Sequence, residues 1–447
     1  MAASVFDSAL YGKLFSPGDA ARLFSDTAEV RAMLLVEGAL AKVQGALGVI
    51  PELSAKAIHR ASMELQIDPG GLAQATGSNG VSVPALVSAF RGEMNAPEHA
   101  QYMHWGCTSQ DIQDTALMLR LRQALALVEE DLRSILSSLA DLAEKHARQP
   151  MPARTYGQHA TPTSFGAVVA AWGTPLLGLL SELETLRRDC LLVSLSGAAG
   201  TGAALGPKAP EIRADLAVAL GLGDPGRSWH TDRTPVLRLA DWFCRVSLGL
   251  GKLGEDTTEL VQTGIGEISL GGAGASSTMP QKQNPVGPSV LVALGRHSSA
   301  LLTALQGAAM PRYQRDGAAW FTEWLSLPQI VLGAATSAQT ASALTKGIAP
   351  RPEQMEQALS DGLDMIHAEA LSFALAETMP RPEAQALVKK LCAEAQEQNT
   401  ALRQLVARDH PELDVQALFD SHHQMGHAPD EALAFVKAVR SQSAGPV

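Results

Sequence analysis

Three short stretches of this chain combine side chains that suit chemistry better than packing. The first, "HWGCTSQDIQDTA" at 104–116, offers Thr108 and Ser109 followed by Asp111, at the start of a long apolar pattern. That is an N-terminal capping pattern, and free N–H groups at a helix start also attract anions. The second, "ARTYGQHATPTSFG" at 153–166, supplies Arg154, Thr155, Gln158, His159 and Thr163. It brings a cation, several hydrogen-bonding groups and one imidazole that titrates near neutrality. The third, "GGAGASSTMPQKQNP" at 271–285, opens with residues so small that backbone amides can approach a ligand closely. Ser276, Ser277, Lys282 and Asn284 follow, a set that suits a lid over an anionic substrate. A plain cap, an ordinary hydrogen-bonding histidine and a simple interhelical connection are the competing readings of the three.

The elements that must position these stretches are helices. Met118, Leu121, Leu125, Val128, Leu132, Ile135, Leu139 and Leu142 recur in steps of three and four, with Arg122, Glu129, Glu130, Asp131 and Arg133 between them. Leu239, Phe243, Val246, Leu250, Leu253, Thr257 and Leu260 repeat the pattern. Further helical patterns cover about 165–190, 286–309 and 322–346, so the expected fold class is all-α with a central five-helix bundle. Breakers at 94–109 and 347–354 divide the chain into an N-terminal helical domain (1–110), the long-helix bundle (111–349) and a C-terminal helical domain (350–447). The apolar run "FGAVVAAWGTPLLGLL" at 165–180 is broken by Gly and Pro and closed by Glu182, Glu184 and Arg187; we read it as a buried helix and expect no membrane span. It and 286–309 carry more small and apolar surface than one bundle covers, which predicts a homo-oligomer.

Composition narrows the function classes. Hydrophobic residues make up 46% and aromatics 4%, a balance for packed helices rather than for sandwiches. A formal net charge of −11, with no run of Lys or Arg, argues against a nucleic-acid face. The four cysteines lie far apart without metal-ligand spacing, and the first residues lack the features of a secretory leader. Reduced thiols in a cytoplasmic protein are expected.

The stretch "SSTMPQKQNP" (276–285) resembles the G-S-S-x-M-P-x-K-x-N loop of the fumarase/aspartase superfamily, with Ala275 at the usual Gly. "TSQD" with "DT" (108–115) and "RTYGQHATPTSFG" (154–166) are similar to that superfamily's other two conserved regions, in the same order. The resemblance runs through essentially the whole chain. It implies a three-domain α fold and a homotetramer with a core of about 20 helices. It also implies active sites shared between subunits, a small polycarboxylate substrate and no metal or organic cofactor. Members abstract a proton next to a carboxylate, form an aci-carboxylate and expel a leaving group. The loop serine that usually serves as base aligns with Ser276, and Lys282, Asn284 and loop amides would stabilise the extra charge.

Two departures narrow the branch. Amine-releasing members carry a histidine after R-T, where this chain has Tyr156, and a glutamate five residues after the loop asparagine, where it has Ser289. An amine cannot leave as an anion and needs a proton donor; a carboxylate needs none. The missing dyad therefore points to a carboxylate as leaving group or as nucleophile, and intramolecular carboxylate addition is a lactonisation. "WHTDR" (229–233), "GKLGEDTTELVQT" (251–263), "RDGAAWFTEWLSLP" (315–328) and "GLDMIHAEALSFALA" (362–376) are similar to the 3-carboxy-cis,cis-muconate cycloisomerases. These act in the β-ketoadipate pathway of aromatic catabolism. Gln281 and Gln283 stand where His and Arg are commoner, which removes positive charge from the loop. The resemblance makes Ser276 and His159 candidates for proton transfer. It makes Thr108, Ser109, Arg154, Thr155, Gln158, Ser277, Lys282, Asn284 and Arg315 candidates for substrate binding. A C–N lyase releasing fumarate from adenylosuccinate or argininosuccinate, and a non-catalytic structural relative, are the alternatives.

Overall fold

The structure, a computed structural model, describes residues 4–271, 274–275, 279 and 282–443. It is an all-α protein, and among the described residues its three sheets are two-stranded. The five long helices are Ser109–Lys145, Phe165–Cys190, Thr234–Leu260, Val286–Gly307 and Gly317–Lys346. The first has 37 residues and so runs about 55 Å.

The apolar ladder of that helix is buried as its spacing requires. Met118, Leu121, Leu125, Val128, Leu132, Ile135 and Leu139 are fully inaccessible. Leu142, the last expected rung, is only half-buried, and Ala143 takes its place. A seven-residue repeat drifts by about 20° per heptad on a straight helix, so after three heptads the buried stripe has moved on by one position. The second ladder, Leu239 to Leu260, is buried at every rung.

The chain divides into two compact units, and each long helix contributes one stretch to each. The first unit comprises residues 1–131, 179–251 and 293–339. One apolar cluster in it packs Met33, Leu34, Val36 and Leu40 of Asp26–Ala46 against Ile58, Leu86 and Phe90. Leu119, Val193, Leu195, Ile212 and Leu216 complete it. The second unit comprises residues 132–178, 252–292 and 340–447. Its C-terminal helices enclose a smaller cluster with Leu371, Leu375, Val388, Leu391, Leu402, Leu405 and Phe419. Helix packing within it is close enough to need glycine. A Cβ on Gly254 would lie 2.7 Å from the carbonyl oxygen of Pro288 and 3.0 Å from the Leu291 Cβ, so any larger residue would push these helices apart.

Helix Phe165–Cys190 is long and apolar enough to cross a membrane by length and composition, although half of its most apolar window is buried inside the protein. Trp172, on the buried side, donates from Nε1 to Asp256 at 2.8 Å. Ala171, Thr174, Pro175 and Gly178 form an exposed stripe of small side chains on the same helix.

Candidate active site

In the first unit, the start of helix Ser109–Lys145 is held by Asp111. Thr108 precedes the helix, and its backbone N–H donates to Asp111 Oδ2 at 3.0 Å, the reciprocal arm of a capping box. The carboxylate does more than cap. It also accepts from the backbone N–H groups of Ser196 (2.8 Å) and Gly197 (2.9 Å), and from His230 Nε2 (2.8 Å). Both acidic and imidazole side chains are buried, and among the described residues His230 Nδ1 has no hydrogen-bond partner. That pattern assigns the proton facing Asp111 to Nε2.

Around this hub, Arg315 binds the edge of the first polar stretch. Its Nε donates to Gln110 Oε1 at 3.0 Å, and a terminal nitrogen donates to Thr108 Oγ1 at 3.1 Å and to the Ala198 carbonyl at 3.3 Å. Gln110 in turn donates to Asp114 and to the His230 carbonyl. Deeper still, Arg233 makes paired hydrogen bonds to both Asp114 and Glu323, all three side chains being buried. Burial alone would lower the Arg233 pKa, but the two carboxylates outweigh it and raise it. Glu323 is pushed up by burial, with Arg233 acting against that shift. The result is a hydrogen-bonded floor, one guanidinium held between two carboxylates, beneath Thr108, Ser109 and Arg315. Arg315 is exposed, and Thr108 and Ser109 are half-buried.

The second unit holds the other two stretches. Residues 153–166, which sequence spacing does not mark as strands, form a β-hairpin, with Pro150–Thr155 antiparallel to Gln158–Ser164. Its two-residue turn is Tyr156–Gly157, with φ of 54° and 72°. Positive φ at both turn positions matches the twist of paired strands. Gly157 accepts this freely, whereas Tyr156 carries a Cβ and leaves its whole side chain in solvent. Thr155, Gln158 and His159 are exposed along the turn end.

Arg154 anchors this hairpin. Its two terminal nitrogens donate to the two carboxylate oxygens of Glu267 at 2.8 and 2.6 Å, and Glu267 is completely buried. The guanidinium expected to bind a substrate carboxylate is therefore paired within the protein. Glu267 immediately precedes strand Ile268–Leu270, which pairs with Ile348–Pro350 and leads into the third stretch. There, Gly274–Ala275 pairs with Gln283–Asn284, so the two flanks of the loop run side by side. Lys282 is exposed and Asn284 half-buried. Ser276 and Ser277, and Gln281 with them, lie outside the described residues. Ser289 is exposed in the first turn of the following helix, where its hydroxyl donates to the Pro285 carbonyl at 2.8 Å.

The structure thus groups Thr108, Ser109 and Arg315 in one unit. It places Arg154, Thr155, Gln158, His159, Lys282 and Asn284 in the other. Reading the sequence missed the hub role of Asp111, although "TSQD" marked it as a cap; Asp114 and Glu323 lay in "DT" and "RDGAAWFTEWLSLP" without a role, and Glu267 was missed altogether. His230 and Arg233 lie in "WHTDR", a stretch that stood out only through its resemblance.

Comparison with known proteins agrees with this architecture. Residues 19–296 match a family described as Lyase. The 3-carboxy-cis,cis-muconate cycloisomerase of Pseudomonas aeruginosa is 37% identical over 434 residues, spanning 94% of each chain. Its counterpart in Pseudomonas putida is 36% identical over 90% of this chain and 96% of that one. The crystal structure of the 3-carboxy-cis,cis-muconate lactonizing enzyme from Pseudomonas putida superposes with a TM-score of 0.90 at 32% identity, covering 98% of this chain and all of that one. With the three polar stretches set on these helices, the chain belongs to the lyase family of the fumarase/aspartase superfamily.

Proposed function

We propose that this enzyme is a cycloisomerase that interconverts 3-carboxy-cis,cis-muconate, or a close analogue, and its γ-lactone. The observation that carries the reading is 37% identity with a 3-carboxy-cis,cis-muconate cycloisomerase, extending over 94% of both chains. In the closing direction a carboxylate oxygen of the substrate bonds to a carbon of the diene. The π electrons move onto the neighbouring carbon, which takes up a proton. The overall change is an isomerisation, with no water consumed and no group released.

Each part of the site has a task in that reaction. Thr108, Ser109 and Arg315 offer hydroxyls and a cation above the buried hydrogen-bonded floor, suited to a substrate carboxylate. Lys282 and Asn284 stabilise the negative charge that builds up as the α-carbon loses or gains its proton. Ser276 and His159 are the proposed proton-transfer groups, with Ser277, Thr155 and Gln158 contacting substrate beside them. Arg154 contributes through Glu267, by fixing the hairpin that presents Gln158 and His159. Tyr156, at the turn in place of the histidine of amine-releasing members, fits a reaction in which no amine has to be protonated.

The proposal extends to assembly and location. The enzyme acts as a cytoplasmic homotetramer whose sites are shared between subunits. Its domains are 1–110, 111–349 and 350–447, and no metal or organic cofactor takes part. The exposed small-residue stripe on Phe165–Cys190 and the exposed Ala293, Ala300 and Ala304 on Val286–Gly307 support helix contacts between subunits. The test incubates the enzyme separately with 3-carboxy-cis,cis-muconate, adenylosuccinate and argininosuccinate. Loss of the diene absorbance in the first, with no fumarate from the others, is expected. Fumarate release without loss of the diene would overturn the reading in favour of a C–N lyase, and inertness towards all three would favour a structural relative.

A further inference from the structure

A second cluster of chemically capable groups lies one residue before Thr108 and is not used by the proposed reaction. Cys107, His104 and Glu37 converge in the first unit, with donor atoms all within 4.8 Å of one another. His104 Nδ1 is 2.6 Å from Glu37 Oε1 and 3.2 Å from Cys107 Sγ. The His104 backbone adopts φ of 65°, a region that side-chain-bearing residues seldom occupy, and this is the conformation that carries its ring into the cluster.

One atom remains without a role in a purely hydrogen-bonded arrangement. Glu37 is fully buried, yet among the described residues its second oxygen, Oε2, has no hydrogen-bond partner. A buried carboxylate oxygen left unmatched is costly, and natural interiors rarely tolerate one without a bound water or ion. The local charge points the same way. Burial raises the Cys107 thiol well above its ordinary range, and the nearby Glu37 and Asp111 carboxylates add to that shift. Burial would lower the His104 pKa, but its bond to Glu37 more than compensates and raises it. Glu37 and Asp111 thus set two carboxylates near the Cys107 thiol, and a cation bound there would have to displace the thiol proton.

We propose that Glu37, His104 and Cys107 bind one zinc ion, or a similar borderline-soft divalent cation, and that its occupation restrains the Thr108–Ser109 segment. The mixed O, N and S donor set selects this class over calcium or magnesium, which take oxygen ligands. Tetrahedral zinc, with nitrogen at about 2.0 Å and sulfur at about 2.3 Å, sets N···S near 3.5 Å and N···O near 3.3 Å. The ion thus enters by replacing the protons of the present hydrogen bonds, opening the Cys–His pair by about 0.3 Å and the Glu–His pair by about 0.7 Å. The His104 side chain is about one-fifth exposed and Cys107 is half-buried, which leaves a path for the ion and for water in the fourth position. Binding releases the Cys107 thiol proton to solvent, and His104 gives up any proton on Nδ1 so that this nitrogen ligates the ion while Nε2–H remains. The link to the site is covalent, because Cys107 and Thr108 share a peptide bond.

The binding inference is independent of the proposed reaction; only its effect on turnover rests on that reading. The test titrates reduced, chelator-treated full-length enzyme with zinc by calorimetry, and with cobalt by absorbance. Wild type is expected to take up one ion per chain, with a thiolate-to-cobalt charge-transfer band. Cys107→Ser, a near-isosteric change, should abolish the band and weaken zinc at least about 100-fold, and Glu37→Gln should weaken it about 10–100-fold. Absence of stoichiometric binding in wild type, or a band that survives Cys107→Ser, would overturn the site. Turnover of 3-carboxymuconate should fall along the zinc-binding curve in wild type and stay insensitive in Cys107→Ser. Binding without any change in turnover would overturn the restraint while leaving the site itself standing.

Discussion

Asp111→Asn is the most informative single change, because the geometry sets which hydrogen bonds survive it. One carboxylate oxygen receives the Ser196 N–H and His230 Nε2; the other receives the N–H groups of Thr108 and Gly197. An asparagine amide turned towards Thr108 and Gly197 would set its NH2 against two N–H donors that cannot adapt. Turned the other way, it faces His230, whose Nδ1 has no partner among the described residues. The imidazole proton can then move to Nδ1, and Nε2 can accept from the amide. The Ser194 hydroxyl, which also donates to that oxygen at 3.4 Å, can rotate to accept from the amide, so the Ser196 N–H is the backbone donor left stranded. Losing one hydrogen bond to a charged acceptor costs about 1.5–3 kcal/mol, and losing a charge near a helix N-terminus adds about 0.3–1 kcal/mol. The expected destabilisation is thus about 2–4 kcal/mol, whereas Asp111→Ala strands three buried N–H groups and should cost more. Urea unfolding followed by tryptophan fluorescence at fixed protein concentration measures both; Trp229 is buried beside the network. Adding His230→Phe to Asp111→Asn removes the adapting partner, so the pair should be worse than additive by about 1 kcal/mol or more. A cost for Asp111→Asn within about 0.5 kcal/mol of zero, or equal to that of Asp111→Ala, would refute this account of the hub.

Other changes address the chemistry. Ser276→Ala should lower kcat on 3-carboxymuconate by about 10²–10⁴, and Ser277→Ala much less; equal losses would remove the assignment of Ser276 as the proton-transfer group. Tyr156→His combined with Ser289→Glu should leave lactonisation unimproved, since a carboxylate needs no proton on arrival or departure. A clear rise in kcat would count against that reason for the missing dyad. Arg154→Met leaves the buried Glu267 carboxylate without its partner and should cost about 3–5 kcal/mol, with Arg154→Lys recovering part of the loss in thermal unfolding; a neutral Arg154→Met would show that the pair does not anchor the hairpin. Mixed tetramers of inactive Ser276→Ala and His159→Ala chains should regain activity, because some sites draw Ser276 from a His159→Ala chain and His159 from a Ser276→Ala chain. Hybrids as inactive as their parents would exclude shared sites for this pair.

The sequence alone determined the helices and the polar stretches, because both depend on local information. Side chains three and four apart share a helix face, so the spacing of Met118 to Leu139 and of Leu239 to Leu260 is enough to mark them as buried ladders. Thr108, Ser109 and Asp111 announced a helix start for the same reason. The hairpin was harder to see: Tyr156 occupies a turn position that favours Asn, Asp or Gly, and only Gly157 marked the reversal. Tertiary structure alone decided what each charged group faces. Arg154 reads as a free cation until the fold brings Glu267, 113 residues away, against it. Asp111 reads as a cap until the loop at 194–197 and His230 close on its other oxygen. Such partners meet through packing of distant segments, and no spacing along the chain records which buried carboxylate will be opposite which donor.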